Sequence, residues 1–154
     1  MNLSLKQEHP VKSGCFFYQC QLILLGVVGA FISSFLFAFL RPYVMHQSIS
    51  TTQYYPTLGS ILIAVFISPL IEETLFRNGL IPFLKKKGWR YRYAILTSAF
   101  LFACLHFDWW IFPYFVNGII YGVVKVKSKN NYSSIIVHSL YNLFVLFPLI
   151  FKLV

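Results

Sequence analysis

The chain reads as an all-α, polytopic transmembrane helical bundle of about five spans, and three observations predict it. Its 154 residues are 58% hydrophobic and 19% aromatic but only 11% charged, with a mean hydropathy of +0.68. Soluble domains average about 45–50% apolar and about 25% charged residues. The apolar residues come in long runs, and the basic residues gather where those runs stop. The expectation is one integral-membrane domain over 1–154, undivided by any linker, low-complexity stretch or internal repeat.

Crossing ~30 Å of hydrocarbon takes roughly 20 helical residues. The polar opening gives way to a first run at about 16–40, too long for a signal-peptide core and without a small-residue cleavage site, so it is expected to stay as a span. The second runs over 58–80 and contains Pro69, which bends a helix and frees backbone carbonyls. The third and fourth, 93–107 and 110–124, are short and meet in a tight hairpin at Asp108-Trp109-Trp110, with the tryptophans at the interface. In the fourth, Gly118-x-x-x-Gly122 allows close helix approach. The fifth covers 133–152.

The net charge of +9 could point to nucleic acid, but its distribution points to a membrane. Lys85, Lys86, Lys87, Arg90 and Arg92 form one cluster, and Lys125, Lys127 and Lys129 another. Basic loops face the cytoplasm. Placing 85–92 and 125–129 inside puts the N-terminus there too, and ten of the thirteen Lys and Arg residues then fall on the cytoplasmic side. Membrane lipid is the expected surrounding, nucleic acid is not an expected partner, and the localisation is the cell membrane. Cys15, Cys20 and Cys104 are odd in number and lack metal-type spacing, so they imply no disulfide framework.

Two of the four acidic residues, Glu72 and Glu73, stand side by side within the second span. A charge at the centre of a lipid-facing helix costs roughly 2.5–3.5 kcal/mol. Something must face these carboxylates, hydrate them or use them. Arg77 follows Glu73 by four residues and shares its face, but lies roughly 140° around the helix from Glu72. Glu73 is therefore expected to be held by Arg77, leaving Glu72 as the working carboxylate and general base. The other polar groups in the spans are His106, His138 and Asn142, with Asn117 a lesser candidate. His138 and Asn142, four apart, share a face of the fifth span. Each group alone has an ordinary structural reading, as a helix-locking ion pair or an interhelical hydrogen bond. Their coincidence in a chain so poor in polar residues is what points to chemistry.

These residues and spacings resemble the CPBP intramembrane protease family, also called Abi, which includes type II CAAX prenyl endopeptidases and bacteriocin-processing or self-immunity proteins. Its Glu-Glu-x-x-x-Arg motif appears as Glu72-Glu73-Thr74-Leu75-Phe76-Arg77, its Phe-x-x-x-His as Phe102 to His106, and its His-x-x-x-Asn as His138 to Asn142. The resemblance covers about 58–150 and implies a minimal core of that fold. It implies an endopeptidase acting on a membrane-associated peptide or protein. Glu72, assisted by His106, would activate water. His138 and Asn142 would stabilise the oxyanion, while Glu73 and Arg77 hold the geometry. It further implies a bacterial role in bacteriocin self-immunity or peptide processing, with no cofactor.

Three rival readings use the same residues. Glu72, His106 and His138 are a plausible zinc set with an open fourth position, although no His-Glu-x-x-His helix is present. A non-catalytic immunity or binding protein would use the polar cluster only to lock the bundle. A proton-coupled transporter would use it as a relay, though no repeat pair supports that.

Overall fold

The computed structural model describes residues 13–45 and 57–150. Lys6, Lys12, Lys152 and most of the loop between the first two helices lie outside the described residues. Among those described, five helices follow one another: α1 Ser13–Met45, α2 Leu58–Lys86, α3 Tyr91–Cys104, α4 Phe112–Ser128 and α5 Ser133–Ile150. The all-helical expectation holds for the described residues.

Two helices are long and apolar enough to cross a membrane, Phe16–Met45 and Leu58–Lys86, with mean hydropathies of 2.5 and 1.7 over an 18-residue stretch of each. The third is a correction. It stops at Cys104, and its 14 residues reach only ~21 Å at 1.5 Å per residue, short of the hydrocarbon thickness. The backbone closes with tight turns, His106 N donating to the Ala103 carbonyl and Phe107 N to that of Cys104. Phe107 then adopts a left-handed φ of 50°. His106 therefore sits just beyond α3 rather than at its last turn.

The second helix also runs further than expected, through Pro82 to Lys86. Thr57 starts it, its hydroxyl accepting from Ser60 N at 3.2 Å. Proline lacks an N–H and its ring crowds the carbonyl four residues back. Here the helix widens instead of breaking, becoming π-helical over Ile63–Ile67 and Thr74–Leu80, each just before a proline. Ser68 N reaches back five residues to Ile63 O, and Ile81 N to Phe76 O. Such bulges absorb strain and gather at functional sites.

The fourth helix is central, packing on α1, α2, α3 and α5. Its glycines explain the closeness. A Cβ at Gly118 would lie 3.0 Å from the Ala99 backbone, and one at Gly122 would lie 2.9 Å from Ile95 Cγ2. The core beneath comprises Val27, Ala30, Phe76, Phe102, Tyr121, Val124 and Val137, with a second cluster of Ile81, Leu84, Ala94 and Ile95. Large apolar side chains such as Leu24, Leu25, Phe35, Phe66 and Leu75 face outward, as lipid-facing positions do. The hairpin tryptophans divide. Trp109 is 92% exposed, but Trp110 is buried against Phe37 and Phe112, so only one of the expected pair is free for an interface. Cys20 and Cys104 are free thiols.

Candidate active site

Glu73 and Arg77 are both completely buried. Arg77 Nε lies 3.3 Å from Glu73 Oε2 without the alignment of a hydrogen bond, so the attraction is one of charge. Aromatic rings surround the guanidinium, with the Phe102 ring centroid 4.3 Å from Cζ, a distance at which the ring face attracts a cation. Its Nη2 donates to the Gly118 carbonyl at 3.2 Å. The glycine thus serves two purposes: it lets α4 approach α3, and it leaves its backbone open to the arginine.

His138 comes from α5 and lies between the two carboxylates. Its Nδ1 is 3.1 Å from Glu73 Oε1 and its Nε2 is 3.9 Å from Glu72 Oε2. Tyr121 stacks on the imidazole with centroids 4.7 Å apart, and Phe102 meets it edge-on at 5.8 Å. Glu72 differs from its neighbour. Its side chain is 29% exposed, while Oε2 is buried without a hydrogen-bond partner. Glu73, anchored by Arg77 and His138, fixes the ring; Glu72 faces the same ring with an unsatisfied oxygen.

Asn142 follows from the proline. With Ser68 N bonded to Ile63 O, the next donor in the π register would be residue 69, which is proline. Ala64 O therefore lacks a helical partner, and Asn142 Nδ2 donates to it at 2.8 Å. The same bond ties α5 to α2 one turn beyond His138. One of the two amide hydrogens of Asn142 is thus committed to structure.

His106 is placed differently from the other histidine. Its Nδ1 lies 2.9 Å from the Phe102 carbonyl, and its ring stacks on Tyr114 at 4.1 Å. Its ring nitrogens make no ion pair with Glu72; the imidazole standing beside that carboxylate is His138's. Glu72, His106 and His138 do not form a metal set either. Among the described residues no group of three or more His, Cys, Asp or Glu side chains is gathered closely enough to hold a metal ion. Asn117, the lesser candidate, donates to Ser34 Oγ at 3.0 Å, and Tyr141 donates to the same oxygen at 2.7 Å.

Ser34, Tyr121 and Tyr141 give no signal in the sequence, because hydroxyls in apolar runs are common and carry no spacing signature. Phe102 was visible only as the start of a motif. Its role is double: its ring faces Arg77 and its carbonyl holds His106.

No solved structure matches the chain. An uncharacterized protein of Mycoplasma capricolum subsp. capricolum is 33% identical over 97 residues, covering 60% of this chain and 28% of that relative. This chain thus corresponds to under a third of the relative's length. The model of the type II CAAX prenyl endopeptidase Rce1-like family matches residues 53–144, more than half of the chain and all three motifs. The chain therefore belongs to the type II CAAX prenyl endopeptidase Rce1-like family, a family of membrane proteases.

Proposed function

We propose that this chain is an intramembrane endopeptidase that hydrolyses a membrane-associated peptide or protein with water activated by Glu72. The observation that carries the reading is the imidazole of His138 held between two carboxylates of another helix, Nδ1 at 3.1 Å from Glu73 and Nε2 at 3.9 Å from Glu72. The gap to Glu72 is too long for a hydrogen bond, so no direct bond commits that carboxylate to the ring. Oε2 of Glu72 is buried, but Oε1 is not, and the side chain as a whole is 29% exposed, so water reaches the carboxylate on that oxygen.

In this reading the water loses a proton to Glu72 as its oxygen bonds to the scissile carbonyl carbon. Held between two carboxylates, His138 acts in this scheme as the imidazolium, with Nδ1 on Glu73 and Nε2 donating, together with the uncommitted amide hydrogen of Asn142, to the developing oxyanion, where preorganised donors act most strongly. The proton on Glu72 then passes to the departing amine as the C–N bond breaks, releasing a carboxylate and an amine. Glu73 and Arg77 position His138 and set the field. His106 stacks on Tyr114 and takes no proton in this scheme. No cofactor takes part.

The chain forms one integral-membrane domain over residues 1–154, with five helices in the bilayer and the basic segments 85–92 and 125–129, which the structure places largely on helix ends, facing the cytoplasm. The substrate belongs to bacteriocin self-immunity or peptide maturation in a bacterial cell. The decisive experiment is cleavage of a peptide library by the purified protein in detergent. Wild type should cleave; Glu72→Ala and His138→Ala should not, while His106→Ala should retain measurable turnover. Cleavage that survives Glu72→Ala removes the reading.

A further inference from the structure

The end of the bundle formed by the α2–α3 turn and the last turn of α4 carries a charge that no described residue balances. Leu84 of α2 belongs to one buried cluster with Ala94 and Ile95 of α3, and Val123 and Val126 of α4 pack against it. That packing sets the basic segments 85–92 and 125–129 side by side, eight Lys and Arg residues in all. The carboxylates of the described residues are Glu72, Glu73 and Asp108, and their ion pairs are with His138, Arg77 and Arg41. None lies at this end: the glutamates precede the end of α2 by more than three turns, and Asp108 is beyond the far end of α3. The side chains of Lys86, Arg90, Lys127 and Lys129 are exposed and make no hydrogen bond or ion pair among the described residues.

The turn that displays these charges is built firmly. After α2 ends, Gly88 takes a left-handed φ of 88°, the conformation in which glycine closes helices. Gly88 N donates to the Lys85 carbonyl at 3.0 Å and Trp89 N to that of Leu84 at 3.1 Å. Lys85 Nζ folds back onto the Trp89 carbonyl at 3.0 Å and lies 4.5 Å from the centroid of the Tyr91 ring. Lys87 lies over Phe83, Arg92 over Tyr93, and Lys125 donates to Asn131 Oδ1. Four cations are thus spent on the surface itself, and the other four point their charge outward. Phe83, Trp89, Tyr91 and Tyr93 are exposed among them. Aromatic rings mixed with cations at the end of an apolar span sit at headgroup level. A soluble acidic partner would have to displace lipid from those rings before reaching the charges.

We propose that this end of the protein binds anionic phospholipids, with Lys86 and Arg90 of the α2–α3 turn and Lys127 and Lys129 after α4 donating to headgroup phosphates. The guanidinium of Arg90 offers forked N–H donors that match phosphate oxygens, and the lysines add compact positive charge. A zwitterionic headgroup carries its own cation, which this surface repels; a phosphatidylglycerol headgroup carries none. The exposed rings lie against the lipid below the phosphates and hold the turn at that depth. In the orientation proposed above, the lipids belong to the inner leaflet. The inference goes beyond the peptidase reading and does not depend on it, because no group around Glu72 takes part.

The test is lipid competition on the full chain in detergent, read by native mass spectrometry. Offered equal amounts of phosphatidylglycerol and phosphatidylcholine with the same acyl chains, wild type should retain the anionic lipid at least about tenfold in preference. A basic residue at a charged lipid surface contributes roughly fivefold. Lys86→Gln with Arg90→Gln should therefore reduce the preference about tenfold or more, and adding Lys127→Gln and Lys129→Gln should abolish it. Arg41→Gln, at the opposite end of the bundle, should leave it unchanged. The thermal midpoint should rise with phosphatidylglycerol, and inorganic phosphate should raise it no more than sodium chloride of equal ionic strength does. Equal retention of the two lipids by wild type would overturn the proposal without any variant, so a poorly folding substitution does not blunt the test. A preference that survives all four substitutions would also overturn it, as would a rise with inorganic phosphate as large as with the lipid. Polyglutamate that strips phosphatidylglycerol from wild type would reassign the surface to a soluble acidic partner.

Discussion

His138 Nδ1 stands 3.1 Å from Glu73 Oε1, an interhelical contact between two buried side chains. A carboxylate accepts and cannot donate, so the facing nitrogen carries a proton and the bond orients the ring. Nε2 is thereby aimed at Glu72. The contact converts adjacent glutamates on one helix into unlike groups, one structural and one available.

That inequality predicts the outcome of single substitutions. Glu72→Gln keeps size and polarity at a position whose carboxylate makes no hydrogen bond, so the thermal midpoint and helical circular dichroism should be unchanged. Peptide cleavage should fall about 10²–10⁴-fold, the range lost with a general base. A fall in helicity alongside activity would assign Glu72 a structural role.

Breaking the buried pair should act on stability instead. Glu73→Leu or Arg77→Leu alone leaves a charge uncompensated, at about 3–5 kcal/mol each. The double substitution should cost less than the sum. Thermal unfolding in detergent measures all three; strict additivity would mean that the two charges do not interact.

The proline and the asparagine should also be coupled. Asn142→Leu strands the Ala64 carbonyl and should cost about 1–3 kcal/mol. In a Pro69→Ala background residue 69 regains an N–H, and the same asparagine substitution should be nearly neutral. Equal losses in both backgrounds would show that Asn142 does not serve as the plug for this carbonyl.

Much of this was legible from the residue pattern, for a physical reason. Charges are so costly in lipid that Glu72, Glu73 and Arg77 stand out from their surroundings, and helical spacing alone pairs Arg77 with the second glutamate. What could not be read is tertiary. His106 and His138 look equivalent along the chain, and only the early end of α3 at Cys104 separates them, sending the first toward Tyr114. Asn142 opposite Ala64 depends on a π register that no periodicity announces. Trp110 was expected at an interface, yet the packing of Phe37 and Phe112 draws it inside.

Close helix contact gives a further expectation. Gly118→Val would place a branched side chain where even a Cβ lies 3.0 Å from the Ala99 backbone and 3.2 Å from Arg77 Nη2. It should lower stability by about 1–3 kcal/mol and reduce activity through the displaced arginine. Gly118→Ala should show the smaller version of both effects.

Chelation addresses the metal. Treatment with 1,10-phenanthroline followed by gel filtration should leave cleavage intact. Loss of activity restored by zinc would mean that Glu72, His106 and His138 converge during turnover.

Each widened turn of α2 carries a residue beyond what a regular turn holds, as though a one-residue insertion had been absorbed at Ile63–Ile67 and again at Thr74–Leu80. Deleting one residue from the first stretch should let it relax to ordinary pitch with little net rotation of the upstream half, and Glu72 to Arg77 keep their alignment. The helix therefore has slack on one side of its glutamates that α4, clamped at both glycines, lacks. Length variation between relatives should collect there and spare the clamp.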